Sequence, residues 1–300
     1  MLKIAHHSNY RHDLPEGHRF PMEKYELLPA QLLYEGTCIS ENFFKPSGLN
    51  LADLCLVHDP EYVLSLLEIT LDKKAARKIG FPLSKELISR EILIAGGTVK
   101  ACEFAIKNGI SMNIAGGTHH AFTNRGEGFC MFNDQAIGAR YLQKQKWAKK
   151  ILIVDLDVHQ GNGTAEIFQT DPSVFTFSMH GKHNYPFNKE KSDLDIELVN
   201  ETTDSEFLST LREILPKLVH SQKPDFIFYL CGVDVLETDT LGKLSLTIEG
   251  CKERDRFVLQ SCRDLNIPVM CSMGGGYSPD IKTIIDAHAN TFRLAQGIYF

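Results

Sequence analysis

Short apolar runs that end in glycine and polar residues recur along the chain, and segments with helical periodicity follow them. Four such runs are MNIAGGTHH, ILIVDLDVHQGNG, FIFYLCGVDVLE and PVMCSMGGGY. Their apolar residues do not alternate with polar ones, which is typical of parallel strands buried on both faces. The pattern predicts an α/β protein with an open, mostly parallel sheet and helices on both faces, in a single domain over residues 1–300.

The segments between the runs carry helix signals. Apolar residues recur at helical spacing behind Thr203 and Asp204, which are candidate N-caps, and an earlier helix is predicted to stop at Asn108-Gly109. In open α/β sheets, ligands bind beyond the carboxyl ends of the strands. The polar clusters that follow the four runs are therefore expected to meet at one sheet edge, although they span positions 116 to 277.

Asp155, Asp157 and His159 occupy alternate positions directly after the run ILIV. Alternate side chains of an extended strand point the same way, so these three are expected to leave one strand end together. Carboxylates and imidazoles bind divalent metals such as zinc, and Asp234 after the third run could add a ligand. The alternatives are a loop whose Asp and His residues cap a helix, and Asp234 as an N-cap.

Candidate acid–base groups lie in the other clusters. An imidazole of His119 or His120 could move protons near neutral pH, with Asp155 orienting one ring and Asn162 the other. Tyr277 follows three glycines and could aim its hydroxyl at an oxyanion. Phe129 could line a narrow passage, although a core position is an equal interpretation.

Composition narrows the functional class. The chain has 300 residues, a formal net charge of -6 and no Lys/Arg block, which argues against nucleic-acid binding. Eight cysteines without a CxxC pair argue against a disulfide framework and favour a reducing, cytoplasmic location. We find no secretory signal and no apolar run of membrane-spanning length.

The segments GGTHHAF, RGEGFCMFND, DLDVHQGNGT, GVDVLETDTLG and GGGY together resemble the histone deacetylase family, within the arginase/deacetylase fold. They occur in the family's order and cover most of the chain from about position 90. The chain is most similar to class IV members and their bacterial relatives, in HQGNG with Asn162 rather than Asp, in GVDVLETDTLGKLSL and in the HRFPMEKY segment.

The resemblance implies zinc ligation by Asp157, His159 and Asp234. It identifies His119 and His120 as the tandem catalytic histidines, with His120 favoured as general base and acid.

The resemblance also assigns the groups around the histidines. It makes Asp155 the buried partner of the first histidine and Tyr277 the tyrosine that stabilises the oxyanion. Asn162 stands where class I members carry Asp, which leaves the detailed path of the proton open.

The walls of an acyl-lysine tunnel follow from the same resemblance. Gly128 and Phe129 match one wall, and Tyr185 is the better match for the opposite wall, with Phe187 as second choice. Gly275, in the glycine turn, is counted with the substrate-binding residues.

The family also binds a structural potassium ion. The matching groups are the backbone carbonyls of Asp155, Asp157, His159 and Met179, the Ser178 hydroxyl and an Asp155 carboxylate oxygen. Hard oxygen ligands suit an alkali cation.

The expected function is zinc-dependent removal of acetyl or longer acyl groups from lysine side chains, by a protein that is a monomer by default. An acetylpolyamine or other small-molecule amide deacetylase is the alternative. The sequence does not identify the carboxylate that would select a polyamine, and Glu16 and Glu127 are only nominal candidates. An arginase-like ureohydrolase is disfavoured, because Gly161 stands where a dinuclear site needs Asp. A non-catalytic acyl-lysine-binding protein is the third alternative.

Overall fold

Eight strands form one sheet in this computed structural model, which describes residues 1–300. The strands are β1 (Lys3–Ala5), β2 (Phe43–Phe44), β3 (Ile110–Asn113), β4 (Ile151–Asp155), β5 (Val174–Gly181), β6 (Leu194–Leu198), β7 (Phe226–Leu230) and β8 (Val269–Ser272). The helices are α1 (Lys24–Tyr34), α2 (Leu51–Leu54), α3 (Pro60–Leu67), α4 (Lys73–Ile79), α5 (Lys85–Asn108), α6 (Asp134–Lys144), α7 (Asn162–Phe168), α8 (Asp204–Gln222), α9 (Ile248–Asp264) and α10 (Ile281–Tyr299).

The strand order is β2-β1-β3-β8-β7-β4-β5-β6, and every pairing is parallel. The four predicted runs form β3, β4, β7 and β8, in which every residue is buried. Burial of these strands on both faces explains their unbroken apolar character. The predicted fold class is confirmed.

The sheet changes its direction of winding between β4 and β7. From β4 the chain moves outward to β5, whereas from β7 it moves to β8 on the other side. Because such crossovers are right-handed, opposite directions place their helices α7 and α9 on opposite faces. The crevice beyond the carboxyl ends of β4 and β7 is therefore the expected ligand site.

The register brings the strand ends to one level. Asp155 at the end of β4 pairs with Leu230 of β7, and Leu230 pairs with Ser272 of β8. Ser272 in turn pairs with Asn113, the last residue of β3. The loops that follow these strands all start from this edge, as predicted.

Both predicted helix boundaries are confirmed. Thr203 caps α8 in a capping box, in which its backbone N–H donates to Glu206. Helix α5 ends at Asn108, and Gly109 follows with a positive φ of 84°.

All eight cysteines are free thiols, and seven of them are buried. None of the helices combines the length and apolar character that crossing a membrane requires.

Candidate active site

The segment after β4 departs from the predicted extended strand. Only Asp155 belongs to the strand, and Asp157 and His159 lie in the bend that follows. The Asp157 N–H donates to Asp155 Oδ1 at 3.1 Å, and the His159 N–H donates to Asp157 Oδ1 at 3.0 Å. Aspartates that accept from the backbone two residues on form turns of this kind. The expectation that all three side chains leave one strand face was therefore wrong.

This bend brings Asp157 and His159 to Asp234, in the loop after β7. Their ligand atoms lie within 4.8 Å of one another, and all three residues are buried. His159 Nδ1 lies 3.0 Å from Asp157 Oδ1 and 3.1 Å from Asp234 Oδ2. Two carboxylates and one imidazole form the open donor set that catalytic zinc uses.

Charge within the cluster also suits a cation. Although burial disfavours the charged imidazole, hydrogen bonds to Asp157 and Asp234 raise the pKa of His159 to about 10. Burial and the neighbouring Asp157 carboxylate raise the pKa of Asp234 to about 7. Both raised pKa values show that this buried cluster attracts protons, as is expected where two carboxylates lie beside one imidazole.

Backbone amides orient the two carboxylates. The Gly275 N–H donates to Asp157 Oδ2 and the Val158 N–H donates to Asp234 Oδ1, both at 3.0 Å. There is also no space for a side chain at position 275, because a Cβ atom on Gly275 would lie 2.8 Å from Asp234 Cγ. The glycine turn therefore packs directly against the metal-ligand cluster.

The two adjacent histidines lie beside this cluster, and each has a separate partner. His119 Nδ1 lies 2.7 Å from Asp155 Oδ2, and His120 Nδ1 lies 2.7 Å from Asn162 Oδ1. The two Nε2 atoms lie 3.1 Å apart. A carboxylate and an amide oxygen both accept, so these partners select the tautomers with hydrogen on Nδ1. Each Nε2 is then available to accept a proton.

The pKa values of the two imidazoles shift in opposite directions. Burial disfavours the charge on His119, but Asp155 outweighs it and raises the pKa of His119 above its usual value. Burial, together with the nearby His119 and His159, holds the pKa of His120 well below its usual value. His119 therefore favours the charged form and His120 the neutral form. Pairs of groups whose pKa values are separated in this way are typical of acid–base catalysis.

Tyr277 closes the site from the glycine turn after β8. Its ring centroid lies 6.5 Å from that of His159, and its backbone N–H donates to Asp239 Oδ2 at 2.6 Å. Burial and the carboxylates of Asp234 and Asp157 raise the pKa of Tyr277 well above its usual value. The phenol therefore remains a hydrogen-bond donor.

A cavity of about 390 Å³ leads to these groups. Phe129 and Tyr185 both line it, and the Tyr185 ring lies 4.9 Å from that of His120. Gly128 has φ +53°, and a Cβ atom there would lie 2.7 Å from His120 Cδ2. Phe187, the second-choice wall residue, is 85% exposed and lies at the mouth.

Several lining residues were missed from the sequence. Phe20 and Tyr25 come from the HRFPMEKY segment, and Arg90 and Glu91 come from α5. Phe20 stacks edge-on against Phe129 at 5.2 Å. The HRFPMEKY segment contributed to the family resemblance. Its residue spacing, however, does not indicate that it lies at a sheet edge formed by strands that are distant in sequence.

A buried carboxylate supports the histidine loop from below. Asp134 Oδ1 accepts from the backbone N–H groups of Gly117 and Thr118, each at 2.9 Å. Its Oδ2 accepts from the Thr98 and Ser272 hydroxyls. Asn133 caps α6, since its Oδ1 accepts from the Ala136 N–H.

Three of the residues matched to potassium lie on β4 and β5, and Asp157 and His159 lie in the bend that follows β4. Asp155 pairs in register with Ser178, whose hydroxyl lies 2.9 Å from His180 Nδ1. Met179 follows on β5 and is buried. Both oxygens of the Asp155 carboxylate already accept hydrogen bonds, from Asp157 and His119.

Comparison with known proteins adds an independent finding. A family model described as the histone deacetylase domain matches residues 18–292. An uncharacterized protein of Picosynechococcus is 44% identical over 296 residues, 99% of both chains. Histone deacetylase 2 of Arabidopsis thaliana is 30% identical over 293 residues, 94% of this chain and 75% of that protein. The crystal structure of an HDAC homolog complexed with SAHA superposes with a TM-score of 0.86 at 26% identity, covering 99% of this chain and 84% of that one.

Proposed function

This chain belongs to the histone deacetylase family, and from that premise we propose that it is a zinc-dependent hydrolase that removes acetyl or longer acyl groups from lysine side chains. One observation carries the proposal. The Asp–His–Asp cluster, the histidine pair and the Tyr277 phenol converge at the inner part of one cavity. This arrangement provides for cation binding, proton transfer and oxyanion stabilisation at a single point.

Asp157, His159 and Asp234 are the proposed zinc ligands. Zinc held there would supply Lewis-acid polarisation of the amide carbonyl and activation of a water molecule. The three ligands leave coordination positions open, which catalysis requires.

The histidine pair moves the proton. The Nε2 atom of His120 accepts a proton from the attacking water, while its Nδ1–H continues to donate to Asn162. The water oxygen bonds to the carbonyl carbon, and the carbon–nitrogen bond then breaks. The proton passes to the departing lysine amine, and the carboxylic acid is the second product. Asp155 holds the His119 ring beside that of His120. Burial, together with the charge on His119, lowers the pKa of His120, which favours release of the proton to the amine.

Tyr277 donates its hydroxyl to the oxyanion that forms when water adds. Its protonated phenol and its position on a turn fixed by Asp239 favour this role. Phe129 and Tyr185 are the proposed walls for the lysine side chain, with Gly128 and Gly275 lining the same cavity.

We also infer a potassium site from Asp155, Asp157, His159, Ser178 and Met179. Asp155 at the end of β4 pairs in register with Ser178 within β5, which brings a carboxylate and a hydroxyl to one level, and carbonyl and hydroxyl oxygens suit a monovalent cation. The likeness of HQGNG to class IV members supports placing the chain in that branch.

A panel of acetyl-, octanoyl- and myristoyl-lysine peptides, with acetylpolyamines alongside, tests the function. We expect hydrolysis of at least one acyl-lysine peptide, its loss on chelation and its recovery with one zinc per chain. Asp157→Asn should lower both zinc content and turnover. Turnover that is insensitive to thorough chelation, or hydrolysis confined to acetylpolyamines, would contradict the proposal.

A further inference from the structure

The mouth of the cavity is basic. Among the residues that line the cavity, five are exposed, namely Arg19, Lys78, His183, Phe187 and Lys243. Three of these carry a positive charge and a fourth is an imidazole. The only carboxylates among the lining residues, Glu91 and Asp157, are buried, so no exposed acid lines the cavity.

Glu127, a carboxylate bonded to the lining residues Lys78 and Tyr185, is already occupied. Glu127 Oε1 accepts from Arg125 at 3.0 Å and from Lys78 at 3.3 Å, and its Oε2 accepts from the Tyr185 hydroxyl at 2.8 Å. These partners lower the pKa of Glu127 despite its partial burial. One carboxylate shared by two cations leaves a positive charge uncompensated.

The basic surface continues onto α4, whose sequence KKAARKI contains four basic residues in seven. The end of this helix is attached to the cavity wall, since the Gly128 N–H donates to the Lys78 carbonyl and the Phe129 N–H donates to the Ile79 carbonyl. Helix α4 therefore flanks the mouth. The whole chain has a formal net charge of -6, so the mouth has the opposite sign to the protein.

We propose that the substrate of this site is an acyl-lysine within an acidic peptide segment, and that cationic acylpolyamines are poor substrates. This inference rests on the proposed lysine deacylase function and specifies its substrate class. A mouth of one sign raises the local concentration of oppositely charged substrates and repels those of like sign. Exposed rim charges act mainly on the association rate and on its salt dependence.

Three acetyl-lysine peptides of equal length, with flanking Asp, Ala or Lys residues, provide the test, with acetylspermidine as a fourth substrate. At low salt we expect kcat/KM about 10-fold higher for the acidic peptide than for the neutral one, with the basic peptide and acetylspermidine lower still. The preference should fall toward unity as salt rises, because the charges are exposed.

Charge reversal at the rim isolates the cause. Lys243→Glu should remove most of the preference, because KM rises much more for the acidic peptide than for the neutral one. Lys217→Glu makes the same charge change on α8, at a residue that does not line the cavity, and should keep the preference. Equal loss in both variants would indicate a net-charge effect and overturn the assignment to the mouth.

The two proposals fail differently. Hydrolysis of all three peptides at the same rate, or a preference for the basic peptide or acetylspermidine, overturns the charge selection alone. Hydrolysis of none of them with zinc present contradicts the deacylase function. In that case, binding of labelled peptides measured by fluorescence anisotropy still tests the charge selection, because the proposal predicts that the acidic peptide binds more tightly than the others.

Discussion

The two histidines at the inner cavity each have a specific partner, and that partner determines the chemistry of the ring. Two histidines that are neighbours in sequence face a carboxylate in one case and an amide in the other. The tyrosine is fixed through its backbone, so its hydroxyl is free of any partner that would compete with a ligand. Substitution of single atoms at these residues therefore tests single functions.

Removal of the Tyr277 hydroxyl should affect the transition state alone. We expect Tyr277→Phe to reduce kcat by about 100- to 1000-fold, because one oxyanion donor is lost, with little change in KM. Steady-state kinetics on the best acyl-lysine peptide measure this, with zinc content and thermal unfolding as controls. Turnover near that of the unmodified protein would remove Tyr277 from the mechanism.

Asp155 combines two expected roles, and they can be separated. Asp155→Asn should lower kcat on the order of 100-fold or more, because an amide can donate to His119 Nδ1 and select the other tautomer. Kinetics at increasing potassium concentration provide the measurement. If Asp155 acts through His119, added potassium does not restore the rate. Full recovery would assign the defect to the potassium site.

At the scale of elements, a helix behind the sheet fixes the two loops that carry the proposed zinc ligands. Arg254 of α9 is fully buried, and its guanidinium donates to the carbonyls of Leu156, Cys231 and Gly232. Asp255 beside it accepts from the guanidinium at 2.9 Å. The arginine thus joins the chain segments that leave β4 and β7.

Replacement of this arginine should loosen both loops. Arg254→Met leaves buried carbonyls without a donor and the Asp255 carboxylate without its counter-ion, so we expect a loss of about 3 kcal/mol or more in unfolding free energy. Zinc affinity should fall by about 10- to 100-fold. Urea denaturation and competition with a chelating dye measure the two effects. Arg256→Met, on the exposed side of the same helix, should change neither by much.

The elements divide into those that the sequence reveals and those that it does not. The runs in β3, β4, β7 and β8 were predictable, because strands buried on both faces are apolar throughout. The short β1 and β2 and the partly exposed β6 lack that signal. In β5, polar residues at Thr176, Ser178 and His180 interrupt the apolar pattern, although they are buried.

At the scale of the whole molecule, an ion pair joins the first helix to the last. Arg293 of α10 donates to Glu35, which follows α1, with distances of 2.9 Å from Nε and 2.5 Å from Nη2. This pairing, strengthened by Thr37 and Gln31, lowers the pKa of Glu35 to about 2 from its ordinary 4.5.

This ion pair predicts a pH dependence of stability. Because the pKa of Glu35 is lower in the folded protein, the pair contributes fully above pH 4.5 and is lost as the pH falls toward 2. Glu35→Gln should therefore cost about 1 kcal/mol at pH 7 and progressively less at pH 4 and pH 3. Urea denaturation at the three values measures it, with Glu16→Gln as the exposed control. A difference that is constant with pH would contradict the assignment.

The candidate site could be predicted as a set of groups at one edge, but not in its local geometry. The position of Asp234 near Asp157 and His159 follows from parallel strands that end together. The bend after β4 does not, since it depends on aspartate side chains that replace strand pairing with hydrogen bonds to the backbone. The basic mouth could not be predicted from the sequence either, because Arg19, Lys78 and Lys243 are far apart along the chain.

Strands β3, β4, β7 and β8 all end at one level, and this limits where insertions and deletions can be tolerated. One residue of strand spans about 3.3 Å, more than the tolerance of a hydrogen bond. An inserted residue at the carboxyl end of any of these strands would therefore move a zinc ligand, a histidine or the tyrosine out of reach. The loops at the opposite edge carry none of these groups. We expect insertions and deletions among natural relatives to collect at that opposite edge.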